Sequence, residues 1–120
     1  MTKNKVRFTV SLAINDDKFD AFESIARTMV ERTQVEPGAL AYEFCLSDDR
    51  NRCRLIEEYV DADAVLAHMT GQVVQEFVPK MLEVSKLTGF EVYGNPGAKA
   101  GAMLKGMGAE IFEPGPGFSR

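Results

Sequence analysis

Alternation of apolar and polar residues is clearest near the start of the chain. Over residues 5–14 an apolar side chain occupies every second position, with Arg, Thr and Ser among the residues between. This period of two predicts a β-strand with one buried face. Residues 39–47 alternate in the same way, and 53–60 and 86–93 complete the predicted strands. The polar residues 47–51 join the second strand to the third, which predicts a hairpin.

Helical spacing of apolar residues marks the segment between the first two strands. Apolar residues recur one turn apart from Phe19 to Thr33, which predicts an amphipathic helix. The tripeptide Asn15-Asp16-Asp17 precedes it and supplies candidate N-cap side chains. Pro37-Gly38 ends this segment.

A second helical region follows the third strand. Asp61 is the predicted cap of its first helix, and Gly71 breaks or bends that helix. Apolar residues at helical spacing continue beyond this point as far as Leu82. Pro79 lies inside this stretch, where proline removes a backbone donor and clashes with the preceding turn. We therefore expect a kink or a restart of the helix near Pro79.

The element order β-α-β-β-α-β predicts an α+β fold of the ferredoxin-like type over residues 1–93. Helices in this fold cover one face of the sheet and leave the other face open. The open face of this chain is not fully polar, and an exposed face of that kind commonly marks contact with a partner. We therefore expect a homodimer in which two sheets close into a barrel.

Residues 94–120 differ in composition from the rest of the chain. Seven of the ten glycines and three of the five prolines follow residue 93. A disordered terminus is one interpretation, but apolar residues are too frequent here for a solvated tail. We expect a C-terminal arm with a short helix over 98–107 and a short strand at 111–112. Such an arm either packs on its own domain or crosses to the partner subunit.

Length and charge exclude several classes of protein. A chain of 120 residues forms one domain. Its formal net charge is −4 and its cations are scattered, so no nucleic-acid partner is predicted. No apolar stretch has the length of a signal peptide or a membrane span, which predicts a cytoplasmic protein with no membrane contact.

Cysteine and histidine are scarce. Cys45, Cys53 and a single histidine are too few for a zinc site made of these residue types alone, and no metal site is predicted. The two cysteines flank the hairpin loop symmetrically, so they are expected to lie opposite each other as free, buried thiols. Glycine motifs that bind dinucleotides or phosphates do not occur either, and no cofactor is predicted.

His68 is the first candidate for chemistry. It is the only histidine in the chain, and an imidazole can accept or release a proton near pH 7. The alternative is a structural role near the end of the second helix, where a protonated imidazole suits the helix dipole.

Glu57 and Glu58 are neighbours on a predicted strand, so their side chains point to opposite faces. They cannot form a pair of catalytic carboxylates. The inward one needs a polar partner, and Arg7, Arg54 and His68 are available. The alternative is a structural salt bridge at the dimer interface.

Aromatic residues are candidates for the wall of an apolar pocket between sheet and helices. Phe8, Phe44 and Phe77 fit this role, although phenylalanines more often belong simply to the core. Tyr42 and Tyr59 are the better site candidates because each hydroxyl needs a polar partner.

Three phrases in a fixed order carry a resemblance to a known family. A turn and strand, Pro37-Gly38-Ala39-Leu40-Ala41-Tyr42-Glu43-Phe44, precede a second strand, Leu55-Ile56-Glu57-Glu58-Tyr59. A helix with Ala64-Val65-Leu66-Ala67-His68 follows. Together they resemble the antibiotic biosynthesis monooxygenase family, in particular its quinol monooxygenases. The resemblance covers residues 5–93.

The resemblance implies a fold, an activity and a set of site residues. Members of the family are small dimeric α+β barrels, and many oxidise quinols or polyphenols with O₂ without a metal or flavin. On this sequence the resemblance implies catalytic roles for His68, Tyr59 and Glu58, with His68 handling the proton of a small aromatic substrate. The remaining candidates bind that substrate: Tyr42, Phe8, Phe44 and Phe77.

Several features depart from the family pattern. Val73 stands where many relatives carry a second histidine, and Tyr59 stands where they more often carry tryptophan. A haem-degrading branch relies on Asn, Trp and His together. Because this chain has no Trp and no Asn in its first strand, haem degradation is not expected. Two other functions stay open on the same barrel: a non-catalytic dimeric module that binds a small ligand, and an isomerase.

Overall fold

A five-stranded sheet forms the centre of the molecule in a computed structural model that describes residues 4–120. The strands and helices follow one another in the order that the sequence pattern predicts. In chain order the elements are β1 (Val6–Ile14), α1 (Phe19–Gln34), β2 (Ala39–Leu46), β3 (Arg52–Tyr59), α2 (Ala62–Met69), α3 (Val78–Val84), β4 (Ser85–Tyr93), α4 (Ala98–Gly106) and β5 (Glu110–Phe112).

The strand order is β2-β3-β1-β4-β5. The central strand β1 pairs antiparallel with β3 and β4, and β2 pairs antiparallel with β3. This arrangement confirms the predicted ferredoxin-like α+β fold. The C-terminal arm adds a fifth strand, because β5 pairs in parallel with the end of β4.

The alternation in β1 decides which face of the sheet is buried. Its apolar residues, from Val6 to Ile14, are at most 9% exposed, while the residues between them are exposed or half-buried. The buried face meets the helices and makes the hydrophobic core. Burial of apolar surface, which contributes about 25 cal/mol per Å², holds the helices against this face.

A bulge in β4 changes which of its side chains face the helices. Ser11 pairs with Gly89 but Leu12 pairs with Leu87, so one residue of β4 has no partner on β1. Leu87 and Phe90 lie three residues apart, yet both pack against the core because of this extra residue. Bulges of this kind often lie beside functional sites, where they redirect a side chain.

The two predicted helix caps differ in outcome. Asp61 caps α2 as predicted, since the Ala64 backbone N–H donates to Asp61 Oδ1 at 2.9 Å. The predicted cap of α1 within residues 15–17 is wrong. That helix begins at Phe19 without a side-chain cap, because the chain turns through a left-handed residue, Asp17, at φ 62°.

The helix restarts at Pro79, as predicted. Residues Val73–Phe77 form a π-helical turn, and α3 begins directly after it with Pro79 in its first turn. Proline is tolerated there because the N–H groups of a first turn have no intrahelical acceptor. Short π-helical segments often accompany functional sites.

The C-terminal arm packs on its own domain. Its helix α4 lies against α2 and buries Ala100 and Leu104. Its short strand β5 then extends the sheet next to β4. The predicted helix and strand of the arm are both present, at nearly the predicted positions.

The hairpin places the two cysteines differently from the prediction. Cys45 pairs with Arg54, and Leu46 pairs with Cys53, so the cysteines lie on opposite faces of the sheet. Both are free, but only Cys53 is buried and Cys45 is exposed. Burial raises the pKa of the Cys53 thiol to about 11. The prediction that the cysteines lie opposite each other is wrong because the register of the hairpin is offset by one residue.

The second face of the sheet carries mostly polar side chains that are exposed or half-buried. Arg7 and Glu58 form an ion pair on it, and Tyr93 stacks on Phe112 with ring centroids 5.7 Å apart. Among residues 4–120, no helix is long and apolar enough to cross a membrane.

Gly38 allows a close approach that fixes the position of α2. A Cβ atom at residue 38 would lie 2.4 Å from the Cβ of Ala64, which is far inside contact distance. The Gly38 carbonyl also accepts a hydrogen bond from the Val60 N–H at 2.9 Å. The turn before β2 is therefore packed directly against the first turn of α2.

Gly38→Ala should lower the free energy of unfolding by about 1–3 kcal/mol, the usual cost of overpacking. Urea denaturation of the purified variant measures this. The matched control is Gly106→Ala, since a Cβ there meets no atom within 4 Å. Equal stability of the two variants would contradict the close packing of the turn on α2.

Candidate active site

His68 lies in the last turn of α2 and is 2% exposed. Two tyrosine rings flank it: the Tyr42 centroid lies 5.6 Å from the imidazole centroid, and the Tyr59 centroid lies 5.2 Å away. The apolar face of α2 turns this residue toward the sheet rather than toward solvent. The only imidazole of the chain is therefore enclosed between β2, β3 and α2.

Two carboxyl groups approach the two nitrogens of the His68 ring. Nδ1 lies 3.1 Å from both Oε1 and Oε2 of Glu36, and Nε2 lies 3.7 Å from Oε1 of Glu57. A carboxylate only accepts hydrogen bonds, so Nδ1 carries a proton and donates it to Glu36. This assignment leaves Nε2 as the nitrogen that can take up a further proton.

Glu57 is a buried acid. It is 4% exposed, and the Tyr59 hydroxyl donates to its Oε1 at 2.5 Å. Burial raises the pKa of Glu57, and the hydrogen bond from Tyr59 and the positive charge of protonated His68 only partly offset this. The site therefore favours the protonated form of Glu57 more than water does.

Both tyrosines are held in the neutral form. Burial raises the pKa of Tyr42 well above its usual value, and ionisation of Glu57 or Glu36 would raise it further. Burial and Glu57 raise the pKa of Tyr59 in the same way. Each phenol is thus available as a hydrogen-bond donor and not as a phenolate.

A cavity of about 200 Å³ lies between the sheet and the helices, next to this cluster. Most of its wall is apolar, and its polar groups are those of Tyr42, Glu57 and His68. Such a cavity suits a small, mostly apolar ligand with a few polar atoms. Its walls come from every layer of the fold: Phe8, Val10, Leu12, Met29, Tyr42, Phe44, Leu55, Glu57, His68, Met69, Val74, Val78, Met81, Leu82, Leu87, Phe90 and Met107.

The structure brings together most of the residues that the sequence singled out. His68, Tyr42, Phe8 and Phe44 line the cavity. Tyr59 is not part of the wall but lies directly behind it, where it holds Glu57.

Phe77 does not reach the cavity. Its ring lies under two cations, with the Arg32 guanidinium carbon 5.6 Å and the Lys80 Nζ 5.0 Å from the ring centroid. Cations over an aromatic face stabilise by roughly 0.5–1 kcal/mol at exposed sites. Phe77 therefore has a structural position in the turn before α3.

Glu58 does not join the cluster either. Its side chain lies on the other face of the sheet, where Arg7 Nε donates to Glu58 Oε2 at 2.9 Å and Lys5 Nζ lies 3.7 Å from Oε1. The inward residue is Glu57, because it shares the parity of the buried residues Leu55 and Tyr59 along β3. That parity was visible in the sequence and would have selected Glu57 over Glu58.

The sequence interpretation missed Glu36 and the methionines. Glu36 follows α1 in a turn, and only the packing of that turn on α2 brings it to His68. Its single sequence signal is its position directly before Pro37-Gly38. Methionine is flexible and fills irregular cavities, and four of the six in the chain line this one: Met29, Met69, Met81 and Met107.

No group of three or more His, Cys, Asp or Glu side chains in residues 4–120 is arranged to hold a metal ion. The chemistry that these side chains offer on their own is proton transfer. A nitrogen base, a buried carboxyl group with a raised pKa and two neutral phenols converge within one cluster.

Fold and site together define a small ferredoxin-like protein with an acid–base cluster at an apolar cavity. The model of the family described as "antibiotic biosynthesis monooxygenase" matches residues 6–80, more than half of the chain. The chain belongs to the antibiotic biosynthesis monooxygenase family. No curated protein sequence matches the chain at a significant level.

Solved structures share the fold at low sequence identity. The crystal structure of MupZ from Pseudomonas fluorescens is 24% identical, with a TM-score of 0.84, and the match covers 98% of this chain and 95% of that chain. A putative antibiotic biosynthesis monooxygenase from Nitrosomonas europaea is 21% identical, with a TM-score of 0.66, covering 79% of this chain and 93% of that one. Rv0793 from Mycobacterium tuberculosis is 19% identical, with a TM-score of 0.67, covering 79% and 98%. The match to MupZ extends over the C-terminal arm.

Glu57→Gln should stabilise the protein, and the gain should grow with pH. The native pKa of Glu57 lies above its usual value, so the native protein holds a proton that the unfolded chain releases as the pH rises. The stability of the wild type relative to the glutamine variant then falls by about 1.4 kcal/mol per pH unit between the unfolded and native pKa values.

Urea denaturation of both proteins at about pH 5 and about pH 8 measures this difference. Because the unfolded wild type releases the proton of Glu57, the two free energies of unfolding should differ more at the higher pH. Glu23→Gln is the matched control, since its ion pair with Arg27 on α1 is solvent-exposed and surface pairs contribute about 0–1 kcal/mol. A Glu57→Gln effect that does not change with pH would show that Glu57 is ionised in the native protein throughout.

Proposed function

We propose that this protein is a monooxygenase that oxidises a small quinol, polyphenol or similar hydroxylated aromatic compound with O₂. In this reaction the substrate itself supplies the electrons, and the protein needs no metal or flavin. The observation that carries the proposal is His68, which lines an apolar cavity and has Nδ1 held by Glu36 and Nε2 on the side of Glu57. Membership of the family is consistent with this activity.

The first step of the proposed reaction is deprotonation of the substrate hydroxyl. Nε2 of His68 accepts the proton, because Nδ1 already donates to Glu36 at 3.1 Å. Glu36 orients the imidazole and stabilises the positive charge that forms on it. The resulting phenolate or quinolate is more electron-rich than the parent and transfers electrons to O₂ more readily.

Tyr42 and Glu57 hold the substrate oxygen in the second part of the proposal. Tyr42 keeps its proton because its pKa is raised, and the raised pKa of Glu57 favours its protonated form, so both groups can donate a hydrogen bond to a developing phenolate. Tyr59 positions Glu57 through the 2.5 Å hydrogen bond. Glu57 thus takes the orienting role that the sequence interpretation gave to Glu58.

The overall reaction balances with one molecule of O₂ per quinol. One oxygen atom enters the ring and the other leaves as water, while the quinol loses four electrons and becomes a hydroxyquinone. Each O₂ accepts those four electrons. The proton taken by His68 returns to the oxygen that leaves as water.

A homodimer is part of the proposal. The sheet face that carries Arg7, Glu58 and Tyr93 lies opposite the helices, and two such faces packed together would close a barrel. Its charges occur in both signs, which permits pairing across a two-fold axis. The cavity with His68 lies on the other side of the sheet, so each subunit would hold a complete site.

A second candidate function is an isomerase that moves a proton without oxygen. The pair of His68 and Glu57 favours it, because an acid with a raised pKa beside a nitrogen base suits proton transfer between two positions of one substrate. Turnover under nitrogen would identify this activity. A ligand that stabilises the protein without any turnover would instead identify a binding module.

Purified, metal-stripped protein should consume O₂ in the presence of a hydroquinone or polyphenol substrate. His68→Ala should lower kcat/KM by about 10²–10⁴-fold, the usual contribution of a general base. Glu36→Gln keeps the shape but weakens the orientation of the ring, and should cost about 10–100-fold. An oxygen electrode and a substrate panel measure these rates.

Glu23→Gln is the control for these variants and should stay within about twofold of the wild type, since its ion pair with Arg27 on α1 is solvent-exposed and surface ion pairs are worth little. Equal rates for wild type and His68→Ala would move the proton-accepting role away from His68. Absence of O₂ uptake above the uncatalysed rate with every substrate would contradict the monooxygenase proposal and favour the isomerase or the binding module.

A further inference from the structure

Strand register divides the cavity wall into three successive rows along β1. The first row holds Phe8, which pairs with Glu57, and Tyr42, which pairs with Glu57 from the other side. The second row is entirely apolar and consists of Val10, Leu55, Phe44 and Phe90. The third row holds Leu12 and its partner on β4, Leu87. All of the residues named in these rows also line the cavity.

Among the strand residues of the wall, only those of the first row carry polar side-chain atoms. The side-chain oxygens that reach the cavity from the sheet, those of Tyr42 and Glu57, both lie in the first row. From Phe8 to Leu12 is four residues of strand, which spans about 13 Å at 3.3 Å per residue. A single aromatic ring with its hydroxyl at His68 would occupy only the first part of this length.

The far part of the cavity wall reaches solvent through apolar side chains. Val74, Val78 and Leu82 follow one another at intervals of four, so they form one stripe along the π-helical turn and α3. Leu82 is 45% exposed although it lines the cavity. Leu87 of β4 and Met107 of the arm are half-buried and line the same cavity.

We propose that the site takes an amphipathic substrate, with a hydroxylated head at His68 and an apolar chain that runs along β1. The chain passes Val10 and Phe44, reaches the level of Leu12, and leaves the protein over Leu82. This proposal rests on the proposed function for the identity of the head and adds the apolar chain as a second determinant of the substrate class.

Continuity with the polar cluster is the argument for a substrate chain over an unrelated partner. The exposed residue Leu82 and the buried residue His68 line one and the same cavity. A ligand that enters from the exposed side must therefore cross the apolar rows before its polar atoms reach the cluster. An alkyl chain needs no hydrogen bonds along these rows, whereas a polar chain would lose its hydration without gaining hydrogen-bond partners.

The test is binding of a series of 2-alkylhydroquinones with chains from methyl to octyl, measured by titration calorimetry under nitrogen. Each methylene that becomes buried should lower Kd about fourfold, until the chain reaches solvent. Leu82→Ser should weaken binding of the long-chain members and leave binding of unsubstituted hydroquinone within about twofold. Leu82→Met, which keeps an apolar side chain of similar volume, should restore the chain-length dependence.

Leu40→Ser is the matched control, because Leu40 is 48% exposed on β2 and does not line the cavity. It should leave the whole series unchanged. Kd values that do not depend on chain length, no binding of any member, or equal effects of Leu82→Ser and Leu40→Ser would each overturn the proposal.

The same ligands in air separate this proposal from the monooxygenase. Chain-length-dependent binding without O₂ uptake would support the apolar chain site and contradict the oxidation. O₂ uptake with Kd values that do not depend on chain length would support the oxidation and overturn the apolar chain site.

Discussion

Burial of one imidazole between two carboxyl groups is the constraint on which the rest of the site depends. His68 is almost fully enclosed, with Glu36 at one nitrogen and Glu57 near the other. Two ionised acids could not both be buried beside a neutral ring without a large desolvation cost. The protein resolves this by leaving Glu36 partly solvated, at 26% side-chain exposure, and by raising the pKa of Glu57. The asymmetry fixes which nitrogen of His68 is free to accept a proton.

The fold supplies this asymmetry through a few local features. Gly38 lets the turn that holds Glu36 pack against α2, so the carboxylate reaches the last turn of the same helix. The parity of β3 turns Glu57 and Tyr59 to the same side. The bulge in β4 adds Leu87 and Phe90 to the cavity wall together, and Met107 brings the C-terminal arm to it. The polar cluster and the apolar walls of the cavity thus come from different layers of one small domain.

Much of this could be predicted from sequence, and the failures have physical causes. Periods of two and 3.6 located the strands and helices, because burial on one face leaves that pattern. His68 and Tyr42 were found through their residue type and through the family resemblance. Glu36 could not be found, since its role depends on a tertiary contact of a turn that no periodicity reports. The choice of Glu58 over Glu57 was avoidable, whereas the offset of the hairpin that separates the cysteines depends on turn geometry.

The most direct test of the account is the tautomer of His68, read from the ¹⁵N chemical shifts of the ring in a protein labelled with ¹⁵N-histidine. The chain holds one histidine, so its two ring nitrogens give the only imidazole signals. At a mildly alkaline pH we expect a protonated Nδ1 and an unprotonated Nε2, because Glu36 accepts the hydrogen bond from Nδ1. A protonated Nε2 with an unprotonated Nδ1 would contradict the account, since Nε2 could not then act as the base.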